Sequence, residues 1–156
     1  AGLCALVGHS TGCISIANAR APLLKDLPLL RISPVFNYKL YFLKRLVQLG
    51  LPKDMVKQYA NRFAQTYRSE YQPLQLAGTL SRLSEMTAIS HDESDSETAV
   101  ADSSSFCERY PITRMMLTKH TDHVRIINSE SVWQELKSHL NYEDTTINFS
   151  SEIVER

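Results

Sequence analysis

The most constraining feature of the sequence is the pentapeptide Gly-His-Ser-Thr-Gly at residues 8–12, together with its flanks. Residues 3–7 (LCALV) form a continuous apolar run, which is typical of a strand buried on both faces of a parallel sheet. Residues 11–21 are rich in small side chains, and apolar residues recur there at near-helical spacing. The sequence therefore predicts a strand, a sharp turn at Ser10, and a helix that lies close to the sheet.

A G-x-S-x-G turn in this setting can present a serine as a nucleophile. The serine sits in a strained conformation between strand and helix, so its neighbours two residues away on either side must be nearly free of side chain. The backbone N–H of the next residue, Thr11, then faces the position of a developing oxyanion. The alternative is that Ser10 is an ordinary helix N-cap, because serine is common there.

Strands and helices alternate along the rest of the chain. Apolar runs predict three further strands, at residues 29–33, 112–117 and 145–149, and amphipathic spacing predicts helices within residues 37–86 and after residue 128. This order predicts an α/β fold, with a partial parallel sheet, flanking helices and a helical cap insertion.

The chain divides into three kinds of segment by composition. Residues 1–36 and 106–156 are assigned to the α/β core, and residues 37–86 to a helical cap or lid. Residues 87–105 carry five acidic residues, many serines and few bulky apolar groups, which predicts a flexible acidic loop. The aromatic residues of the cap fit either helix–helix packing or the wall of a pocket.

Charge and cysteine content exclude several classes of protein. The 17 basic and 17 acidic residues leave no net charge, which argues against a general nucleic-acid or anionic-membrane binder. No apolar run approaches the roughly 18 residues of a membrane helix. Three scattered cysteines suit neither a disulfide framework nor a zinc site and favour a reducing, cytoplasmic location. No cofactor is predicted, and His120 and His123, on a loop, do not favour a metal site.

The segment LVGHSTG resembles the nucleophile elbow of the α/β-hydrolase superfamily of esterases, lipases and peptidases. LLRISPVF is similar to the strand after the elbow helix in that family. PITRMMLTKHTDHV is similar to the next strand and its loop, where the family carries its triad acid. The resemblance implies Ser10 as nucleophile, Thr11 as oxyanion donor and Asp122 as triad acid, while Asp122 as a local turn residue is the alternative.

The resemblance covers the second half of the family's domain and departs from it in two places. The family has several strands before the elbow, including the loop that donates the second oxyanion N–H. Its catalytic histidine follows the last strand, whereas here no histidine follows His139, and His9 is expected to point away from Ser10. We therefore expect that activity needs a further segment or a partner chain. Without one, the chain should hydrolyse p-nitrophenyl esters no faster than its Ser10→Ala variant.

Two functions fit the sequence. One is a serine hydrolase that acts on an ester or related acyl bond of a small or lipid-like substrate, without nucleic acid or a transmembrane segment. The other is a non-catalytic, hydrolase-like module for ligand binding or protein interaction.

Overall fold

The computed structural model describes residues 5–18, 27–66, 87–111 and 113–139. Its helices and strands follow one another in this order: β1 (Leu6–His9), α1 (Gly12–Asn18), β2 (Leu29–Ile32), α2 (Tyr38–Gln48), α3 (Lys53–Thr66), β3 (Thr87–Asp92), α4 (Val100–Arg109), β4 (Arg114–Thr118), α5 (Asp122–Arg125), a 3-10 turn (Ile126–Asn128) and α6 (Glu130–His139).

The four strands form one parallel sheet in the order β1-β2-β3-β4. Leu6 pairs with Leu29, Leu29 with Thr87, and Ala88 with Arg114, so neighbouring strands run side by side in the same direction. Parallel pairing brings the carboxyl ends of all four strands to one edge of the sheet, where α/β folds usually bind ligands. The predicted α/β class is confirmed.

Both faces of the sheet are covered. Side chains alternate between the two faces along a strand, so neighbouring residues enter different cores. One core lies against α1 and α4 and contains Ile14, Val35, Ile89 and Phe106. The other lies against the 3-10 turn and α6 and contains Leu30, Ile32, Ala88, Ile126 and Val132. Strands β2 and β3 are buried along their whole length for this reason.

Residues 87–105 are not the flexible acidic loop that composition predicted. Their first six residues form β3, all buried, and α4 begins at Val100. Composition misleads here because only Ala88 and Ile89 fill the two cores, while the polar side chains of His91 and Asp92 are buried with hydrogen-bond partners. A buried polar strand of this kind has no apolar signature.

Helices α2 and α3 confirm two of the helices predicted within residues 37–86. The Asn37 side chain accepts a hydrogen bond from the N–H of Leu40 and caps α2, and Gly50 follows the helix with a φ of 78°. The third helix predicted in that segment and the strand predicted at residues 145–149 lie outside the described residues. No helix in the described ranges combines the length and apolar character needed to cross a membrane.

The two glycines of the G-x-S-x-G segment have different steric roles. A Cβ on Gly8 would lie 3.0 Å from the Cα and N of Cys13 and from Cδ1 of Ile16, so β1 and α1 approach too closely for any side chain there. A Cβ on Gly12 would meet no atom within 4 Å. Close packing therefore requires a glycine at position 8, as predicted, but not at position 12.

This difference predicts unequal effects of two matched substitutions. Gly8→Ala should lower the free energy of unfolding by about 1–3 kcal/mol, because the backbone of α1 must shift to admit the methyl group. Gly12→Ala, at the start of α1, should change it by less than about 0.5 kcal/mol. Urea unfolding of both variants measures the difference, and equal losses would contradict the close approach at Gly8.

Candidate active site

Ser10 lies in the tight turn between β1 and α1, as the sequence predicts. Its φ is 54°, in the left-handed region that residues other than glycine rarely adopt. The N–H of Ser10 donates to the carbonyl of Ile32 at 2.9 Å, and the N–H of Val35 donates to the carbonyl of Ser10 at 3.4 Å. The end of β2 and the residues after it therefore hold the strained turn in place.

His123 contacts the hydroxyl of Ser10. Its Nε2 lies 3.0 Å from Ser10 Oγ, and the imidazole is buried where the loop after β4 enters α5. The resemblance places the catalytic histidine after the last strand, predicted at residues 145–149, where no histidine follows. That placement is wrong for the histidine that contacts Ser10, because His123 follows β4.

Asp95 contacts the other nitrogen of the same imidazole. Its Oδ2 lies 2.8 Å from His123 Nδ1, and its side chain is completely buried in the turn between β3 and α4. Oδ1 accepts hydrogen bonds from the backbone N–H groups of Glu97 and Thr98. Burial raises the pKa of Asp95, but hydrogen bonds from His123, His91 and Thr98 outweigh it and hold the pKa far below its usual range. Asp95 is therefore an ionised carboxylate at neutral pH.

The charge of Asp95 fixes the tautomer of His123. An ionised carboxylate can only accept, so Nδ1 of the imidazole carries the proton. Nε2 is then free to accept the hydrogen of the Ser10 hydroxyl. A serine, an imidazole and a carboxylate in this order are the arrangement that activates a serine for attack on a carbonyl.

Asp122, the acid expected from sequence, is not in contact with His123 through its carboxylate. Its Oδ1 accepts from the backbone N–H groups of Val124 and Arg125, and its Oδ2 accepts from Arg125 Nε at 2.8 Å. These contacts are those of a local turn residue at the start of α5, which was the alternative interpretation.

The missed strand explains both errors. Without β3, the strand at residues 112–117 takes the place after which the resemblance puts the acid, and Asp122 follows it. With β3 counted, the acid position falls after β3, at Asp95, and β4 becomes the strand that His123 follows. The sequence signal for β3 is the apolar pair Ala88–Ile89, followed by a turn rich in Asp and Ser.

Asp92 joins the two turns that carry these side chains. It is the last residue of β3, it is fully buried, and its Oδ2 accepts from Thr118 Oγ1, Thr121 Oγ1 and the N–H of Thr121 at 2.6–2.9 Å. Its Oδ1 accepts from the N–H and the hydroxyl of Ser94. Burial raises the pKa of Asp92, but these hydrogen bonds hold it well below its usual range. The turn after β3 is thereby tied to the loop after β4.

His9 and Thr11 flank Ser10 and differ in their contacts. Nε2 of His9 donates to the backbone carbonyl of His123 at 2.7 Å, so His9 supports the His123 loop and does not contact the Ser10 hydroxyl. The N–H of Thr11 has no acceptor among the described residues.

The described residues hold no group of three or more histidine, cysteine or acidic side chains placed to bind a metal ion. Cys13 and Cys107 are free thiols, and burial raises the pKa of Cys13 to about 11, so it stays protonated at neutral pH. The Cys13 thiol donates to the backbone carbonyl of Gly8 at 3.1 Å.

The fold is similar to that of a known hydrolase. A crystal structure of a carboxylesterase from the ammonia-oxidizing thaumarchaeon Nitrososphaera gargenis matches it with a TM-score of 0.50 and 13% sequence identity. The match covers 88% of this chain and 64% of that one. The similarity is one of fold. No family model and no curated protein matches the sequence.

The two buried carboxylates predict how stability depends on pH. Asp92 and Asp95 have lowered pKa values in the folded state, whereas the pKa of Asp in an unfolded chain is about 3.9. Their contribution to the free energy of unfolding is therefore present in full above that value and is lost as the pH falls below it.

Asp92→Asn should remove part of this dependence. We expect the variant to lose about 2–4 kcal/mol at pH 7, because buried donors lose a charged acceptor. Its loss should shrink towards pH 3, where the wild type weakens as well. Urea unfolding of both proteins between pH 7 and pH 3 measures this, and parallel stability curves would contradict the role of the Asp92 charge.

Proposed function

We propose that the protein is a serine hydrolase that cleaves an ester or related acyl bond. In this proposal Ser10 is the nucleophile, at a nucleophile elbow, His123 is the general base and acid, and Asp95 orients the imidazole. The observation that carries it is the continuous hydrogen-bonded series from Ser10 Oγ to His123 Nε2 (3.0 Å) and from His123 Nδ1 to Asp95 Oδ2 (2.8 Å).

The reaction begins with transfer of the Ser10 hydroxyl proton to Nε2 of His123 while Oγ attacks the carbonyl carbon. The carbonyl oxygen of the tetrahedral intermediate becomes an oxyanion, to which the N–H of Thr11 donates. His123 then gives its proton to the departing alkoxide, and the acyl group stays on Ser10. In the second half, His123 takes a proton from water, the hydroxide attacks the acyl carbon, and the proton returns to Ser10 as the carboxylic acid leaves.

Asp95 contributes by stabilising the imidazolium that each half-reaction creates. The imidazole and the carboxylate are almost completely shielded from solvent, with side-chain exposures of 10% and 0%. Their interaction is therefore weakened by water far less than that of a surface pair. Because four donors besides His123 already hold the Asp95 oxygens, namely two backbone N–H groups, the Thr98 hydroxyl and His91 Nε2, the carboxylate does not reorganise when the imidazole gains its charge.

The substrate class is proposed from the fold neighbour and from the cap helices. That neighbour is described as a carboxylesterase, which suits a small acyl ester. Helices α2 and α3, proposed as a cap, expose several apolar side chains, namely Leu40, Val47, Leu49, Met55 and Tyr59. Such side chains favour an apolar or lipid-like acyl group over a charged one. A second oxyanion donor is proposed to come from a segment outside the described residues.

A fluorophosphonate probe and p-nitrophenyl esters test the proposal on the full-length protein. Ser10→Ala and His123→Ala should each lower kcat by about 10⁴–10⁶-fold, and Asp95→Asn by about 10⁴-fold, because the imidazole is then held in the wrong tautomer. The probe should label the wild type at Ser10.

Asp122→Asn is the matched control, since it removes a carboxylate that caps α5 and does not contact the imidazole. Its kcat should stay within a few-fold of the wild type. A folded protein that neither reacts with the probe nor turns over esters would favour the non-catalytic binding module instead. An Asp122→Asn variant as inactive as Asp95→Asn would contradict the assignment of the acid.

A further inference from the structure

A second histidine meets the Asp95 carboxylate. His91 lies in β3 with a completely buried side chain, and its Nε2 is 3.3 Å from Asp95 Oδ2. This is the same oxygen that lies 2.8 Å from His123 Nδ1. Two imidazoles, one from β3 and one from the start of α5, therefore share one carboxylate oxygen.

The contacts of His91 select one tautomer. The Asp95 carboxylate can only accept, so Nε2 of His91 carries the proton. Nδ1 is then an acceptor, and it lies 2.7 Å from the hydroxyl of Ser103, which is fully buried on α4. His91 is thus held at both nitrogens, by α4 on one side and by the turn after β3 on the other.

Thr98 completes this arrangement. Its hydroxyl donates to Asp95 Oδ2 at 2.8 Å and lies 3.2 Å from Nε2 of His91, so it can also accept part of the histidine N–H. Asp95, Thr98 and Ser103 are the groups that contact His91 by hydrogen bonds, and His123 is the other titratable group on the same carboxylate. Each hydrogen-bond donor to Asp95 Oδ2 takes up part of the negative charge of the carboxylate, so less of that charge acts on the other donors.

We propose that His91 is a positioning residue of the active site, which holds Asp95 facing His123 and limits how much of the carboxylate charge acts on that imidazole. The inference rests on the proposed hydrolase function. A leucine would fill the same place in a sheet interior without a buried polar group. A histidine fixed at both nitrogens instead adds a second imidazole donor to the carboxylate oxygen that His123 contacts, and Ser103 acts through it.

The pH profile of kcat/KM distinguishes positioning from a purely structural role. Activity rises with pH as His123 loses its proton in the free enzyme. In His91→Leu the carboxylate loses one donor and more of its charge acts on His123, so this rise should move to higher pH by about half a unit or more. Loss of orientation should lower kcat by about ten- to a hundredfold. His91→Gln, which restores an N–H donor, should move the profile back towards the wild type.

Ser103→Ala is the second variant and removes no group from the carboxylate itself. It leaves Nδ1 of His91 without its partner, so the ring is held at one nitrogen only and the profile should move in the same direction by a smaller amount. It also keeps the proposal testable if His91→Leu does not fold. Lower kcat with an unmoved profile in the folded variants, or no change in either quantity, would overturn the proposal and leave His91 a packing residue.

NMR separates this outcome from failure of the proposed function. The His123 imidazole can be titrated directly in the Ser10→Ala protein, which needs no turnover, with and without His91→Leu. An upward shift of the His123 titration of about half a unit or more would support the shared carboxylate even if the wild type hydrolyses no ester. An unshifted titration would overturn it even if Ser10-dependent hydrolysis is observed.

Discussion

The geometry of the site depends on a buried carboxylate that takes no part in the proposed chemistry. Removing an ionised group from water costs several kcal/mol unless donors replace the lost hydration. Asp92 meets this requirement with donors from Ser94, in the turn after β3, and from Thr118 and Thr121, at the end of β4 and in the loop after it. Because these donors must converge on one carboxylate, the turn after β3 and the loop after β4 are fixed relative to each other. Asp95 and His123 lie on those two segments.

A second constraint acts at Ser10. A residue other than glycine with a φ of 54° costs on the order of 1–3 kcal/mol, and it persists only where the surroundings enforce it. Gly8 permits the close approach of α1 to β1, and the end of β2 accepts the N–H of Ser10. The strain is thus offset by sheet pairing and by packing of α1. The Ser10 hydroxyl then lies at the edge of the sheet where β3 and β4 also end.

The sequence predicts those parts of the fold that leave an apolar or steric signature. The run before Gly8 and the small residues after Ser10 indicate the strand, the turn and the helix, because each reflects direct packing. Strand β3 leaves only the pair Ala88–Ile89 as an apolar signature, since its buried residues at the carboxyl end are His91 and Asp92, and these are stabilised by side chains from elsewhere in the chain. When this strand is missed, each later element takes the place of the element before it in the comparison with the family. The expected position of the acid then moves from Asp95, after β3, to Asp122, after β4.

Asp92 and Asp95 meet the same physical requirement, but their different hydrogen-bond partners give them different roles. Both carboxylates are buried and both stay ionised because hydrogen bonds outweigh desolvation. The partners of Asp92 are hydroxyls and backbone N–H groups, which do not change charge near neutral pH, so its effect is on the fold alone. Asp95 accepts from two imidazoles, and one of them contacts the Ser10 hydroxyl. In the proposed reaction that imidazole gains a proton 2.8 Å from Asp95, so Asp95 is the carboxylate placed to stabilise the new charge.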